Sequence, residues 1–272
     1  MTEKRPPSFS TLRIESEGVL GELVLDRPDS YNAMSPELID ELALACGWLA
    51  DQADFRALVI TGAGPAFCAG GDINWFKRGL EDPDVDIVAG VRAGAERLHQ
   101  AIIDLQRVPY PVVAAINGPA AGAGFSLALA CDIRICSRKA FLACAYGRIG
   151  ASPDGGMTYF LPRTVGPARA IELLLNDPNL NPDTALAEGL VSEVVDPGDL
   201  MDRAREKALK LATKSPYYVR QSKWLVQRSL DNSLADHLQL ERHSIAESMA
   251  TEDLRQAVTA FLEGGEVEFG RD

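Results

Sequence analysis

Two glycine-rich turns are the first residues whose types and spacing suit chemistry: Phe67-Cys68-Ala69-Gly70-Gly71-Asp72 and Asn117-Gly118-Pro119-Ala120-Ala121-Gly122-Ala123-Gly124. Neither is crowded by bulky side chains around its glycines, so backbone N–H groups can approach a ligand closely. The second turn leads into a helix expected to open at Phe125, which sets its amides at the positive end of a helix dipole. Facing one another, the two turns would make a two-donor oxyanion hole that supports a developing enolate or tetrahedral oxyanion. The same glycines also suit plain close packing of backbones, and spacing alone leaves both roles open.

Asp154 lies in Ser152-Pro153-Asp154-Gly155-Gly156, just before an expected helix. It suits a turn-forming N-cap and equally a general base or nucleophile held in a tight turn. Tyr146 follows a short expected strand and either joins the core or points at a ligand near Asp154. His99 sits on an amphipathic helix beside Leu98 and Ile102, where an ordinary helix histidine is the simpler role. Ser126, in Gly124-Phe125-Ser126-Leu127-Ala128, approaches the nucleophile elbow but lacks its last glycine. No G-K-[ST] follows either turn, and Gly122-x-Gly124 lacks the third glycine of a dinucleotide fingerprint.

These residues need elements to hold them. Residues 12–16 and 20–25 read as a hairpin split by Glu17-Gly18. Ser35-Pro36-Glu37 opens a helix that Leu38, Leu42, Ala45 and Leu49 carry to about Asp51. Buried strands are expected at 57–61, 112–116 and 133–136, with short ones at 140–143 and 192–195. Residues 76–88 are polar and acidic without clear period, and read as a mobile surface segment before a helix over 89–107. Helices follow at 158–164, 168–175 and 182–188, and residues 200–262 are helical in period, broken near Ser215-Pro216, Asn232 and Thr251. Strands alternating with helices, then helices alone, predict an α/β core with a C-terminal helical extension. The expected division is a tail over 1–10, a core over 11–198, a helical region over 199–265 and a tail over 266–272.

Of 272 residues, 46% are hydrophobic and 24% charged, enough for a large core. The net charge of −12 argues against nucleic-acid binding, which needs a basic face. The first ten residues lack an apolar targeting segment. Five cysteines without a C-x-x-C pair read as free core thiols in a reducing cytoplasm. Three scattered histidines make a metal site unexpected. The apolar run 111–131 is interrupted by Asn117-Gly118-Pro119, Gly122 and Gly124, so strand, turn and buried helix fit it better than a membrane span.

Taken together, five pieces resemble the crotonase (enoyl-CoA hydratase/isomerase) superfamily over residues 10–265. They are Asp26-Arg27-Pro28 with Asn32-Ala33-Met34, residues 66–72, residues 111–132, residues 140–166, and Ala187-Glu188-Gly189-Leu190-Val191. The resemblance implies a spiral of ββα units with a C-terminal helical trimerisation region, a homotrimer or dimer of trimers, and an acyl-CoA substrate with no separate cofactor, metal or membrane. It implies an oxyanion hole at the N–H groups of Gly71 and Ala123, with Asp154, Tyr146 and His99 as the other catalytic candidates. It implies contacts to the coenzyme A end around Arg27, Ala33, Ala66, Cys68 and Ala69. Further substrate contacts are implied at Gly70, Asp72, Ile73, Gly122, Ser126 and Phe261.

The departures from the hydratase branch bear on activity. Its two glutamate positions carry Ser126 and Tyr146 here, and neither is a carboxylate. Asp154 resembles the aspartate of the isomerase branch, and the stretch from Arg148 to Gly156 is most like ring-epoxide isomerases. The expectation is therefore an enoyl-CoA isomerase with a single aspartate base. The alternatives are a hydratase with an atypical site, an Asp154 nucleophile assisted by His99, and a CoA-binding protein without turnover.

Overall fold

Alternation along the strands decides how the chain layers itself. The computed structural model describes residues 6–269; of the two expected tails, residues 1–5 and 270–272 lie outside the described residues. In chain order the first half contains β1 (Leu12–Glu17), β2 (Leu20–Leu25), α1 (Pro36–Ala50), β3 (Ala57–Gly62), α2 (Ile73–Glu81), α3 (Ile87–Arg107) and β4 (Val112–Ile116). The middle contains β5 (Ala120–Ala121), α4 (Ala123–Ala130), β6 (Ile133–Ser137), β7 (Leu142–Ala143), α5 (Met157–Val165), α6 (Pro167–Asn176), α7 (Pro182–Ala187) and β8 (Glu193–Val195). Four helices finish it: α8 (Leu200–Ala212), α9 (Pro216–Arg228), α10 (Leu234–Ser248) and α11 (Glu252–Glu263).

The main sheet runs β1-β2-β3-β4-β6-β8. Only the β1–β2 hairpin is antiparallel; every later pair is parallel. Both faces are covered, as a parallel sheet requires. Leu58 and Ile60 of β3, with Val112, Ala114 and Ile116 of β4, face the large core shared with α1 and α3. Their neighbours Ala57, Val59, Val113 and Ala115 face the other way, onto Leu200, Ala204, Ala208 and Ala212 of α8. That period of two is the pleat itself. The small residues of α8, spaced by four, let it lie close on the sheet, so the C-terminal helical stretch begins as part of the core. Each fully buried Leu, Ile or Val contributes about 1.5–3 kcal/mol.

After β2, β3, β4 and β6 the chain makes a second, smaller pairing. β5 pairs with β7, and isolated bridges join Met34 to Gly71, Cys68 to Ala120 and Leu142 to Leu180. This short ladder, one rung per pass, is the second β element of a ββα spiral, and it carries both glycine turns. Ser35 caps α1 by accepting the Leu38 N–H at 3.2 Å. α9 is tied to the core by Lys223, whose Nζ donates to the carbonyls of Val108 and Tyr110 and pairs with Asp132 at 2.7 Å.

The segment expected to be irregular over 76–88 is different. α2 runs to Glu81, a short loop follows, and α3 starts at Ile87. α2 buries only Gly79, while Trp75 and Phe76 are half-buried, so it has no core-facing apolar stripe to read. Among the described residues no helix is long and apolar enough to cross a membrane.

Candidate active site

Backbone hydrogen bonds stitch the two glycine turns together. Phe67 and Cys68 N–H both donate to the Pro119 carbonyl at 3.1 Å, and Ala121 N–H donates to the Cys68 carbonyl at 3.0 Å. A Cβ at Gly124 would lie 2.2 Å from the Cys68 carbonyl oxygen, so this approach needs glycine. Close packing thus sets the two turns edge to edge and does not itself rule out a binding role. Gly122, at φ 52° and ψ −126°, turns the chain in a region closed to L side chains and opens α4 with the Ala123 N–H at its first position. On the other turn, Met34 N–H donates to Gly70 O and Asp72 N–H to Met34 O, which leaves out the N–H of Gly71 between them. Neither the Gly71 nor the Ala123 amide has an acceptor among the described residues. Both residues line one cavity of about 460 Å³, together with Gly70, Gly122, Tyr146 and Asp154.

Asp154 does not cap α5. The N-cap residue is Gly156, with no side-chain cap. Instead Asp154 Oδ1 accepts the Tyr146 hydroxyl at 2.7 Å, and its Oδ2 makes no hydrogen bond among the described residues. Ser126 is fully buried beneath the pair; its Oγ donates to the Asp154 carbonyl at 3.0 Å and sits 3.2 Å from the Tyr146 hydroxyl. Burial, reinforced by the Asp154 carboxylate, pushes the Tyr146 hydroxyl well above the ordinary tyrosine range. Tyr146 is therefore a neutral donor at any ordinary pH.

The loops around the first turn are fixed by three polar side chains. Arg27 donates to the Ala33 carbonyl and pairs with Asp72 at 3.1 Å. Asp72 Oδ1 caps α2 by accepting the N–H groups of Asn74 and Trp75. Asn32, absent from the expected contacts, is fully buried and organises the rest. It accepts from Arg27 N–H and donates to the carbonyls of Ala63 and Ala66. The available signal was an Asn ending the turn-type run Pro28-Asp29-Ser30-Tyr31, since Asn tolerates the positive φ of 56° found here.

The remaining candidates divide. Ala69 and Ile73 line the cavity, as do Trp75, Phe76 and Leu98. Ala66 and Cys68 are buried behind it, and burial pushes the Cys68 thiol up to about 12, which makes it a core residue. His99, next to Leu98 on α3, turns away from the cavity. It opens on a larger groove of about 1090 Å³ between α3, α5, α9 and α10, while its Nε2 accepts the Gly155 N–H at 3.4 Å. Phe261 is 84% exposed on α11 and lines neither space.

Comparison with known proteins agrees with this geometry. The family model described as enoyl-CoA hydratase/isomerase matches residues 15–272. The chain is 36% identical over 241 residues to the 1,2-epoxyphenylacetyl-CoA isomerase of Escherichia coli K12, covering 88% of this chain and 90% of that one. It is 32% identical over 256 residues to the short-chain-enoyl-CoA hydratase of Clostridium acetobutylicum, covering 94% and 95%. The crystal structure of an enoyl-CoA hydratase from Polaromonas sp. JS666 superposes with a TM-score of 0.87 at 32% identity, covering 95% and 99%. With the ββα spiral, the paired glycine turns and these matches in agreement, the chain belongs to the enoyl-CoA hydratase/isomerase family of the crotonase superfamily.

Proposed function

We propose that the chain is an acyl-CoA isomerase that moves a proton between carbons of an enoyl thioester, with Asp154 as its single base. The observation that carries this reading is that Asp154 is the one carboxylate among the cavity-lining residues. A thioester α-proton is weakly acidic, so its removal needs the enolate oxygen stabilised as the charge forms. The N–H groups of Gly71 and Ala123 lack other acceptors and suit that oxygen. Asp154 Oδ2 takes the proton and returns it to a different carbon, so the group ends as it began. Tyr146 donates to Oδ1 and keeps the other oxygen aimed into the cavity.

Hydration is the second reading, favoured by hydratase names among the relatives. The two-carboxylate route to it lacks its groups here, since the corresponding residues are Ser126 and Tyr146. The nucleophilic reading is weaker, because His99 opens on the other groove. The proposal extends to a cytoplasmic homotrimer or dimer of trimers assembled through the C-terminal helices, where Val258, Phe261 and Leu262 are exposed.

Incubation with a 3-enoyl-CoA ester in D₂O tests the chemistry. Double-bond migration with no gain of water is the expected result. A 3-enoyl ester left unchanged, while the conjugated 2-enoyl ester gains one water to give the 3-hydroxyacyl thioester, would make hydration the activity.

A further inference from the structure

Two residues other than glycine, Ala145 at the edge of the cavity and Asp177 outside its lining, hold left-handed backbone and are bonded to each other. Ala145 has φ 61° and Asp177 has φ 45°. The Tyr146 N–H donates to the Cys144 carbonyl at 2.9 Å, which closes a γ-turn centred on Ala145. With positive φ at its centre this is the rare, strained form of that turn. A strained conformation persists only where its surroundings over-determine it. Here the determinant is Asp177, whose Oδ1 accepts the Ala145 N–H at 2.7 Å.

Asp177 is at the left-handed C-cap of α6, a position where glycine would fit without strain. Glycine would lack the carboxylate, and the carboxylate is fully used. Its Oδ2 accepts from Arg148 Nε at 3.1 Å, and the Arg148 guanidinium also donates to the Asp177 carbonyl and to Asn179 Oδ1. Only 10% of the Asp177 side chain is exposed. The residue after the strained turn is Tyr146, whose hydroxyl meets Asp154.

On the isomerase reading, we propose that Asp177 is a positioning residue that acts through the Ala145 N–H to hold the Tyr146 hydroxyl on the Asp154 carboxylate. It touches neither the cavity nor any reacting atom. Its effect reaches the base through one turn and one ring.

Asp177→Ala, the near-isosteric Asp177→Asn, and Asp177→Ala combined with Ala145→Gly test this on two readouts. The first is kcat and KM for whichever acyl-CoA conversion the parent catalyses. The second needs no turnover: the ¹³Cζ shift of Tyr146 in tyrosine-labelled protein at neutral pH, assigned by its loss in Tyr146→Phe, which reports the hydrogen bond that its hydroxyl makes to Asp154. Asp177→Ala is expected to lower kcat about tenfold with KM within about twofold. It should also move the Tyr146 ¹³Cζ shift toward that of an ordinary solvent-exposed tyrosine. Asp177→Asn should do the same more weakly. Adding Ala145→Gly, which accepts positive φ without strain, should restore much of both readouts. An unmoved Tyr146 signal in Asp177→Ala overturns the proposal, as does a loss that the glycine leaves unchanged. A parent that turns over no ester contradicts the isomerase reading alone, because the tyrosine signal still decides the role of Asp177.

Discussion

A carboxylate that accepts a tyrosine hydroxyl through one oxygen and leaves the other on an apolar cavity is oriented as well as placed. Trp75, Phe76 and Leu98 give that cavity an apolar wall, and in the proposed chemistry Asp154 and the two amides face one bound thioester there. The amides depend on backbone conformation, which makes Gly122 the sharpest residue-scale test. Gly122→Ala puts a side chain at φ 52°, and the turn must relax and carry the Ala123 N–H with it. Loss of one oxyanion donor lowers kcat by about 10²–10³-fold, so steady-state kinetics should find a fall of that order with ester binding largely kept. Tyr146→Phe removes one charge-assisted hydrogen bond and should lower kcat by about tenfold. At this scale the sequence showed residue types but not partnerships. Asp154 and Tyr146 were readable as candidates, yet Asp177 is 32 residues from Ala145 and belongs to another helix, so no local pattern announces their bond.

Among the elements, the helices with a clear period or cap were legible, and α2 was missed. α1 announced itself by Ser35-Pro36-Glu37 and by Leu38, Leu42, Ala45 and Leu49, all fully buried. α2 spends its aromatic residues on the cavity, so its period carries no core signal, although Asp72 before Ile73 was a usable cap. The start of β1 is fastened by Glu41 of α1, which accepts the N–H and hydroxyl groups of both Ser10 and Thr11. Burial alone would raise the Glu41 carboxyl, but the bonds from Thr11 and Ser10 outweigh it and hold the carboxyl below its usual range. A folded-state value below the unfolded one stabilises the protein above the ordinary carboxylate range, and that contribution disappears as pH falls through the folded value. Glu41→Gln should therefore cost about 1.5–3 kcal/mol at pH 7 and much less at pH 3. Urea unfolding at the two pH values reads the difference; an equal loss at both would show that the charge is not what matters.

For the whole molecule, the spiral explains why one fold builds the site from residues so far apart in sequence. Each pass adds a strand to the main sheet and a rung to the small ladder, and successive rungs bring the 66–72 and 117–124 turns together. The α/β core was implied by the alternation of strands and helices; of the ladder only β7 was, inside the strand expected over 140–143, because β5 is two residues long and the other rungs are single bridges. The C-terminal helices end with Val258, Phe261 and Leu262 exposed, a face suited to a second copy of the chain. Light scattering after gel filtration should give three or six chains per particle, and Phe261→Asp should reduce that number. A parent that elutes as a single chain would contradict the assembly proposed here.

The most direct measurement is α-proton exchange into a saturated acyl-CoA ester in D₂O, followed by NMR for the parent and for Asp154→Asn. The amides of Gly71 and Ala123 should still bind the thioester in the variant, so its dissociation constant should stay near that of the parent. Exchange should be rapid in the parent and lower by about 10²–10⁴-fold in Asp154→Asn. Exchange at the parent rate in Asp154→Asn would remove that carboxylate from the chemistry.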